Sequence, residues 1–148
     1  MNTPCGAARV FLGWRQPSER EIEMPKVSKT SATKVQDIGI GEVREDVAGG
    51  YEFSFLDLRE ESDMAPFLKG LPDDRCTCPH WGYVMSGQIT FTFADHIEVF
   101  EAGDAFYVPP GHTPATAGET EVLFISPEEE SARVNEVIQR NMAALQSS

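Results

Sequence analysis

Short stretches in which hydrophobic and polar residues alternate run through most of the chain. Tyr51, Phe53 and Phe55 alternate with Glu52 and Ser54, and residues 89–93 repeat the pattern. Such alternation is typical of strands with one buried face. Turn-forming residues separate the stretches at 48–50, 86–87, 94–96 and 101–104. Strands at about ten-residue spacing favour a sandwich or barrel, so the sequence predicts an all-β barrel over about residues 35–126.

The end of the chain has a different pattern. Ser126 can cap a helix, Pro127 suits a first helical position, and Glu129 completes a capping box. The apolar residues that follow lie on one helical stripe, Val134, Val137, Ile138 and Leu145. We therefore expect a C-terminal helix at about residues 127–145, packed against the barrel.

Length and charge exclude several classes of protein. The chain has 148 residues, the size of one domain. Its formal net charge is −12 and its isoelectric point is about 4.5, so it should repel nucleic-acid phosphates and anionic membrane surfaces. No stretch approaches the roughly 20 apolar residues of a membrane helix. We expect neither nucleic acid nor a membrane as a partner.

Residues 1–23 form a separate arm, and residues 24–148 form the single domain. One hypothesis is that translation begins at Met24 and that the arm is disordered or not native. The alternative is a genuine N-terminal strand or helix packed on a neighbour. Cys5 lies in this arm and receives no role. An odd count of three cysteines does not make a disulfide framework, which favours a reduced, cytoplasmic protein.

Two segments resemble the two sequence motifs of the cupin family. Residues 103–111 match the second motif: a glycine, five residues, a proline, any residue and a glycine. The first motif is divergent, with Gly87 as its closing glycine, Asp74 and Cys76 at its first and second histidine positions, and His80 at its glutamate position. Residues 76–84 are similar to a small bacterial subgroup of uncharacterised function. The resemblance implies a double-stranded β-helix, or jelly-roll barrel, whose first-motif strand lines a cavity.

The first motif also carries the candidate chemistry. Cys76, Cys78 and His80 are spaced two residues apart, so on one strand they project from the same face. The resemblance places Pro114 at the usual histidine position of the second motif, and His112 is the nearest substitute. Two thiolates and two imidazoles suit tetrahedral zinc, with iron or nickel as alternatives. Cys76, Cys78, His80 and His112 are therefore the predicted metal ligands.

Three functions remain open at this point. The first is a small metal-binding cupin of unknown activity, with a ligand held inside the barrel. The second is a metal-dependent enzyme of isomerase, dioxygenase or hydrolase type acting on a small organic molecule. The third is a metal-free ligand-binding or scaffold cupin. Three protein ligands with an open position favour the enzyme, and four favour simple binding.

Two further features concern the surface. Trp81 and Tyr83 have the opposite parity to His80, so they should face outward, and exposed aromatic residues suggest an interface. Cupins are commonly dimers, so the resemblance implies a homodimer as well. His96 lies in a turn and should be exposed.

Overall fold

The computed structural model describes residues 24–148. The two interpretations of the N-terminal arm, and Cys5, lie outside these residues. Two short 3-10 turns, Ala65–Phe67 and Pro72–Asp74, precede the fifth strand. The strands are β1 (Lys34–Asp37), β2 (Gly41–Ala48), β3 (Tyr51–Leu58), β4 (Ser62–Asp63), β5 (His80–Ser86), β6 (Gln88–Thr92), β7 (Ile97–Glu101), β8 (Ala105–Val108), β9 (Thr113–Thr116) and β10 (Thr120–Pro127), and they are followed by helix α1 (Glu128–Gln146).

The strands form two antiparallel sheets. One sheet has the order β1-β2-β3-β10-β5-β8, and the other has the order β4-β9-β6-β7. Chain neighbours in sequence often lie in different sheets, so the two layers enclose a common interior. This architecture, closed by one C-terminal helix, confirms the all-β prediction.

The interior contains two apolar clusters. The larger cluster lies between the two sheets and is built on Val84, Ile89, Phe91, Phe106, Val108 and Val122. The smaller one joins helix α1 to the loop before β5 and contains Leu68, Cys76, Cys78 and Val134. Helix α1 therefore packs on the loop that carries the cysteines, and it holds that loop against the barrel.

Strand β3 is inverted relative to an ordinary amphipathic strand. The predicted strand is confirmed, but Glu52 and Ser54 face the interior cavity, as does Leu56. The aromatic residues of opposite parity, Tyr51 among them, lie on the outer face, where Tyr51 is 43% exposed.

The predicted capping box is wrong. Ser126 is the buried penultimate residue of β10, and Pro127 precedes the helix without any side-chain cap. The helix begins at Glu128, and the acidic residues of its first turn favour that end through the helix dipole. Val134 is buried as predicted, whereas Leu145 is exposed because the last turn extends past the barrel. No helix within residues 24–148 is long and apolar enough to cross a membrane.

Candidate metal centre

Backbone pairing brings the two sequence motifs together. The Cys76 N–H donates to the His112 carbonyl at 2.8 Å, and the Gly111 N–H donates to the Cys76 carbonyl at 2.8 Å. Cys76 and His112 thus form an isolated antiparallel bridge between the two loops. Directly opposite residues in such a bridge project to the same side, which places the thiol and the imidazole next to each other.

Three of the four predicted ligands come together. The ligand atoms of Cys76, His80 and His112 all lie within 4.8 Å of one another. Cys76 Sγ is 3.5 Å from His80 Nε2, which is the spacing that bonds of about 2.3 and 2.0 Å to one tetrahedral zinc ion would give. The two imidazole rings are 5.1 Å apart, centre to centre. This cluster is close enough to bind a metal ion.

Hydrogen bonds at the other ring nitrogens orient both histidines. His112 Nδ1 lies 2.7 Å from the Pro109 carbonyl, and since a carbonyl only accepts, Nδ1 carries the proton. His112 Nε2 is therefore an unprotonated, fully buried atom, and it has no hydrogen-bond partner within the described residues. His80 Nδ1 lies 2.7 Å from Ser126 Oγ, which leaves its Nε2 facing Cys76. Buried polar atoms without partners are rare and are often explained by a missing ion, so these residues fit a metal.

Cys78 lies outside this group of mutually close ligand atoms, although it lines the same cavity. Strand β5 begins only at His80, and residues 76–79 are irregular, so side chains two apart no longer share a face. Cys78 is fully buried, and its thiol donates to the Pro79 carbonyl at 3.4 Å. The ligand roles of Cys76, His80 and His112 stay predictions.

Burial dominates the electrostatics of the cluster. It raises the pKa of the Cys76 thiol to about 11, and it raises the pKa of Cys78 to about 12 with help from the nearby Cys76. Burial and then the neighbouring His112 lower the pKa of His80 to about 3, and burial also lowers the pKa of His112. Both imidazoles are therefore neutral at pH 7, the form that binds metals.

The cluster opens onto the main cavity of the barrel. This cavity has a volume of about 450 Å³, and both Cys76 and His80 form part of its wall. That volume is in the range of small-molecule sites. His112 lies behind them, packed edge to face against Phe91 at 5.3 Å between ring centres. A metal held by the cluster would have one side toward the cavity.

Three other polar residues lie outside the group of mutually close ligand atoms. Asp74 is in a 3-10 turn, where its carboxylate accepts a hydrogen bond from the Gly70 N–H. Tyr107 is on the outer face and 53% exposed. His96 is exposed as predicted, stacks on Phe93 and lies 2.6 Å from Asp95.

Sequence reasoning missed the groups that hold the histidines. Ser126 looked like a helix cap, and the Pro109 carbonyl carries no side-chain signal at all. The parity of Ser126 with Val122 and Phe124 was the available signal, because these residues share the inner face of β10. Extending the strand pattern by two residues would have placed Ser126 in the cavity wall.

The comparisons with known proteins agree with this fold. Residues 77–127 match the family model for the cupin domain. No curated protein matches the sequence. The polyketide cyclase RemF from Streptomyces resistomycificus has a similar structure, with a TM-score of 0.50 and 15% identity over 72% of this chain and 80% of that chain. An RmlC-like cupin from Shewanella frigidimarina NCIMB 400 has a TM-score of 0.47 and 20% identity over 68% of this chain and 88% of that chain.

Two antiparallel sheets around a cavity, with both sequence motifs meeting at one buried cluster, define a small β-barrel protein with an interior site. Over residues 77–127 the chain is similar to the cupin domain family, and its fold is that of a cupin. At 15% identity, the likeness to the cyclase concerns the fold alone.

Proposed function

We propose that this protein binds a divalent transition metal through Cys76, His80 and His112 and holds a small organic molecule in the adjoining cavity. The buried Nε2 atom of His112 carries this proposal. The Pro109 carbonyl fixes the proton on the other ring nitrogen, Nδ1, and no group in residues 24–148 forms a hydrogen bond with Nε2. A metal ion would supply the missing partner. The same ion would replace the thiol proton of Cys76.

The donor set favours zinc. One thiolate and two imidazoles suit zinc in a tetrahedral site, while iron and nickel are the alternatives, and the soft sulfur disfavours magnesium, calcium and manganese. Ser126 and the Pro109 carbonyl act on the outer nitrogens of the two histidines, as groups behind metal ligands commonly do. The two described cysteines are free thiols, which supports the expectation of a reduced, cytoplasmic setting.

An enzyme is the second candidate function. The group of mutually close ligand atoms contains three residues and does not include Cys78, so a tetrahedral ion held by this group would keep one open position. A metal bound there supplies Lewis acidity, which polarises a carbonyl group or activates water. Cys76 and His80 line the cavity, so the open position and a molecule in the cavity would be neighbours.

Metal analysis of matched cysteine variants tests the proposal. We expect about one metal ion per chain in the untagged wild-type protein by mass spectrometry of the elements. Cys76→Ser should reduce the content to background, and His112→Gln should do the same. Cys78→Ser is the matched control, because this cysteine is equally buried and two residues away, and it should retain the metal.

Circular dichroism of every variant shows whether a loss of metal is a loss of folding. A folded Cys76→Ser variant that keeps its full metal content would remove Cys76 from the site. Wild-type protein without metal, after incubation with zinc and removal of the excess, would overturn the proposal.

A further inference from the structure

The cavity beside the cluster has an uneven chemical lining. Most of its wall is apolar, with contributions from both sheets, the loop before β5 and helix α1: Ile38, Val43, Leu56, Leu68, Phe124 and Ile138. Its charged lining residues are all acidic, namely Glu45, Glu52, Glu61 and Asp63. No lysine or arginine among residues 24–148 lines it. Any charged group on a ligand would therefore meet carboxylates and apolar surface.

Two of these carboxylates lie on the inner face of the larger sheet, and they differ in their partners. Glu45 forms an ion pair with Lys34 at 2.5 Å, so its charge is balanced. Glu52 accepts a hydrogen bond from Ser131 Oγ at 2.6 Å and a longer one from Ser54 Oγ at 3.4 Å. Within the described part of the chain, Glu52 forms no salt bridge. Its direct hydrogen-bond partners are hydroxyl groups, and Lys34 acts on it only from a longer distance.

Glu52 lies one strand away from Ser126, which contacts the candidate ligand His80. It lies opposite Ser126 in the β3–β10 register, and Ser126 Oγ contacts His80 Nδ1. The three side chains form one row on the inner face, from the carboxylate to the candidate ligand. A molecule that fills the cavity beside His80 would thus have Glu52 within the same wall.

If only the carboxylates that are at least partly buried are counted, the charges of the occupied site would sum to zero without any ligand charge. A divalent ion contributes two positive charges, the Cys76 thiolate one negative charge and Glu52 another, while Glu45 and Lys34 cancel. Glu61 and Asp63 are exposed to solvent and add further negative charge to the lining. A carboxylate or phosphate entering the cavity would have only the metal ion to pair with, since no lysine or arginine among residues 24–148 lines the cavity and the charge of the ion is already balanced by the Cys76 thiolate and Glu52. An additional buried negative charge would therefore be left unbalanced, which is costly. An uncharged molecule has no such penalty, and the apolar wall favours it.

We infer that the cavity selects an uncharged, mainly apolar small molecule that carries a hydrogen-bond donor for Glu52, and that it excludes carboxylates and phosphates. This inference rests on the proposed function, because it names the class of molecule held at the same site. The inverted pattern of β3 has its explanation here, since Glu52 is the acceptor at one end of an apolar cavity.

Two probes with the same naphthalene ring system and different charge test this selectivity. Isothermal titration calorimetry of the full chain, with its metal content measured on the same sample, would compare naphthol with naphthoate. We expect naphthol to bind at least about tenfold more tightly. Glu52→Gln should lower the affinity for naphthol and reduce the ratio of the naphthol affinity to the naphthoate affinity. Glu45→Gln, at a carboxylate already paired with lysine, should change this ratio less. Equal or tighter binding of naphthoate by the wild-type protein, or no binding of either probe, would overturn the inference.

A pair of space-filling variants identifies where the probe binds. Val43→Phe should abolish naphthol binding, because Val43 lines the cavity. Val47→Phe is the matched control on the same strand, since Val47 is 46% exposed and outside the lining, and it should bind normally. Naphthol binding that survives in folded Val43→Phe would overturn the inference, because the probe would then lie on another surface.

The metal measurement separates this inference from the proposed function. Protein that takes up no metal but still prefers naphthol would refute the metal site and leave the selectivity intact. Protein with one metal per chain that prefers naphthoate would refute the selectivity and leave the metal site intact.

Discussion

Ser126 Oγ lies 2.7 Å from His80 Nδ1, and this hydrogen bond fixes which nitrogen of the imidazole faces Cys76. The serine is 3% exposed and is placed by the β10 ladder, where it pairs with Glu52 of β3. The orientation of a candidate ligand on β5 therefore depends on a residue 46 positions later in the chain. A hydroxyl group in this position restricts the ring rotation that metal binding would otherwise have to restrict.

Ser126→Ala should weaken metal binding without destroying the fold. The variant frees His80 Nδ1, so we expect the affinity for zinc to fall about 10- to 100-fold. Competition with a chromophoric chelator measures it. Ser131→Ala is the matched control, because Ser131 is also buried and hydrogen-bonded, but to Glu52 rather than to a histidine. Equal zinc affinities for Ser126→Ala and the wild type would show that the serine has no positioning role.

The sequence predicts the strands and the three clustered candidate ligands for clear physical reasons. Alternation at a period of two survives in β3 and β6, because each strand has one face toward the interior. Cys76, His80 and His112 could be selected from motif position. Their convergence depends on one long-range backbone bridge, between Cys76 and His112, that no local pattern encodes.

The errors come from local signals that long-range pairing overrides. Ser126, Pro127 and Glu129 have the local chemistry of a capping box, but ladder pairing with β3 continues through the end of β10. Cys78 was expected to align with Cys76 and His80 on one strand. That strand begins only at His80, so strand alternation cannot place the Cys78 side chain. Which face of β3 points inward could not be derived either, because its aromatic residues suit a core as well as an interface.

Gly82 should be intolerant of any side chain. A Cβ atom at this position would lie 2.3 Å from Phe106 Cζ and 2.5 Å from the Leu123 carbonyl oxygen. Gly82→Ala therefore forces either the core phenylalanine or the β5–β10 ladder to shift, and we expect a loss of about 1–3 kcal/mol in the free energy of unfolding. Urea denaturation measures it. Gly118→Ala is the control, since its Cβ would meet nothing closer than 3.6 Å, and its free energy should change by about 0.5 kcal/mol or less. Equal stabilities of the two variants would contradict the steric argument.

The metal-free protein should lose stability as the pH falls below about 6.5. The unfolded chain has ordinary histidines with a pKa near 6.5, whereas burial lowers the pKa of His80 to about 3 and also lowers that of His112. Between these values the unfolded state binds more protons, so protonation favours unfolding. His80 contributes up to about 1.4 kcal/mol per pH unit within that window, the lowered pKa of His112 adds a loss of the same sign, and neither contribution is present above the window.

Urea titrations from pH 7.5 to 5 in the presence of a chelator would measure this dependence. His80→Gln should reduce the slope of the free energy of unfolding against pH by the contribution of one histidine. His96→Gln is the matched control at an exposed histidine, and it should leave the slope close to that of the wild type. A His80→Gln variant with an unchanged slope would show that His80 does not drive the pH dependence.

The aromatic outer face of the larger sheet predicts a homodimer. Trp81 is 43% exposed and Tyr107 is 53% exposed, and their ring centres lie 5.1 Å apart. In the strand register this row continues through Ile125 to Phe53, so the patch spans four adjacent strands without a charged residue. An apolar patch that continues across a sheet can pack against another flat apolar surface. The same sheet in a second copy of the chain is such a surface.

Trp81→Glu should convert the dimer to a monomer. The substitution places two carboxylates in the buried centre of a symmetric interface, so we expect the dissociation constant of the dimer to rise at least about tenfold. Size-exclusion chromatography with light scattering would report two copies of the 16.3 kDa chain for the wild type and one for the variant. Ile97→Glu is the matched control, because Ile97 is 62% exposed on the other sheet. A monomeric wild type at micromolar concentration, or dissociation by Ile97→Glu instead, would refute this interface, because the aromatic row would then have no role in assembly.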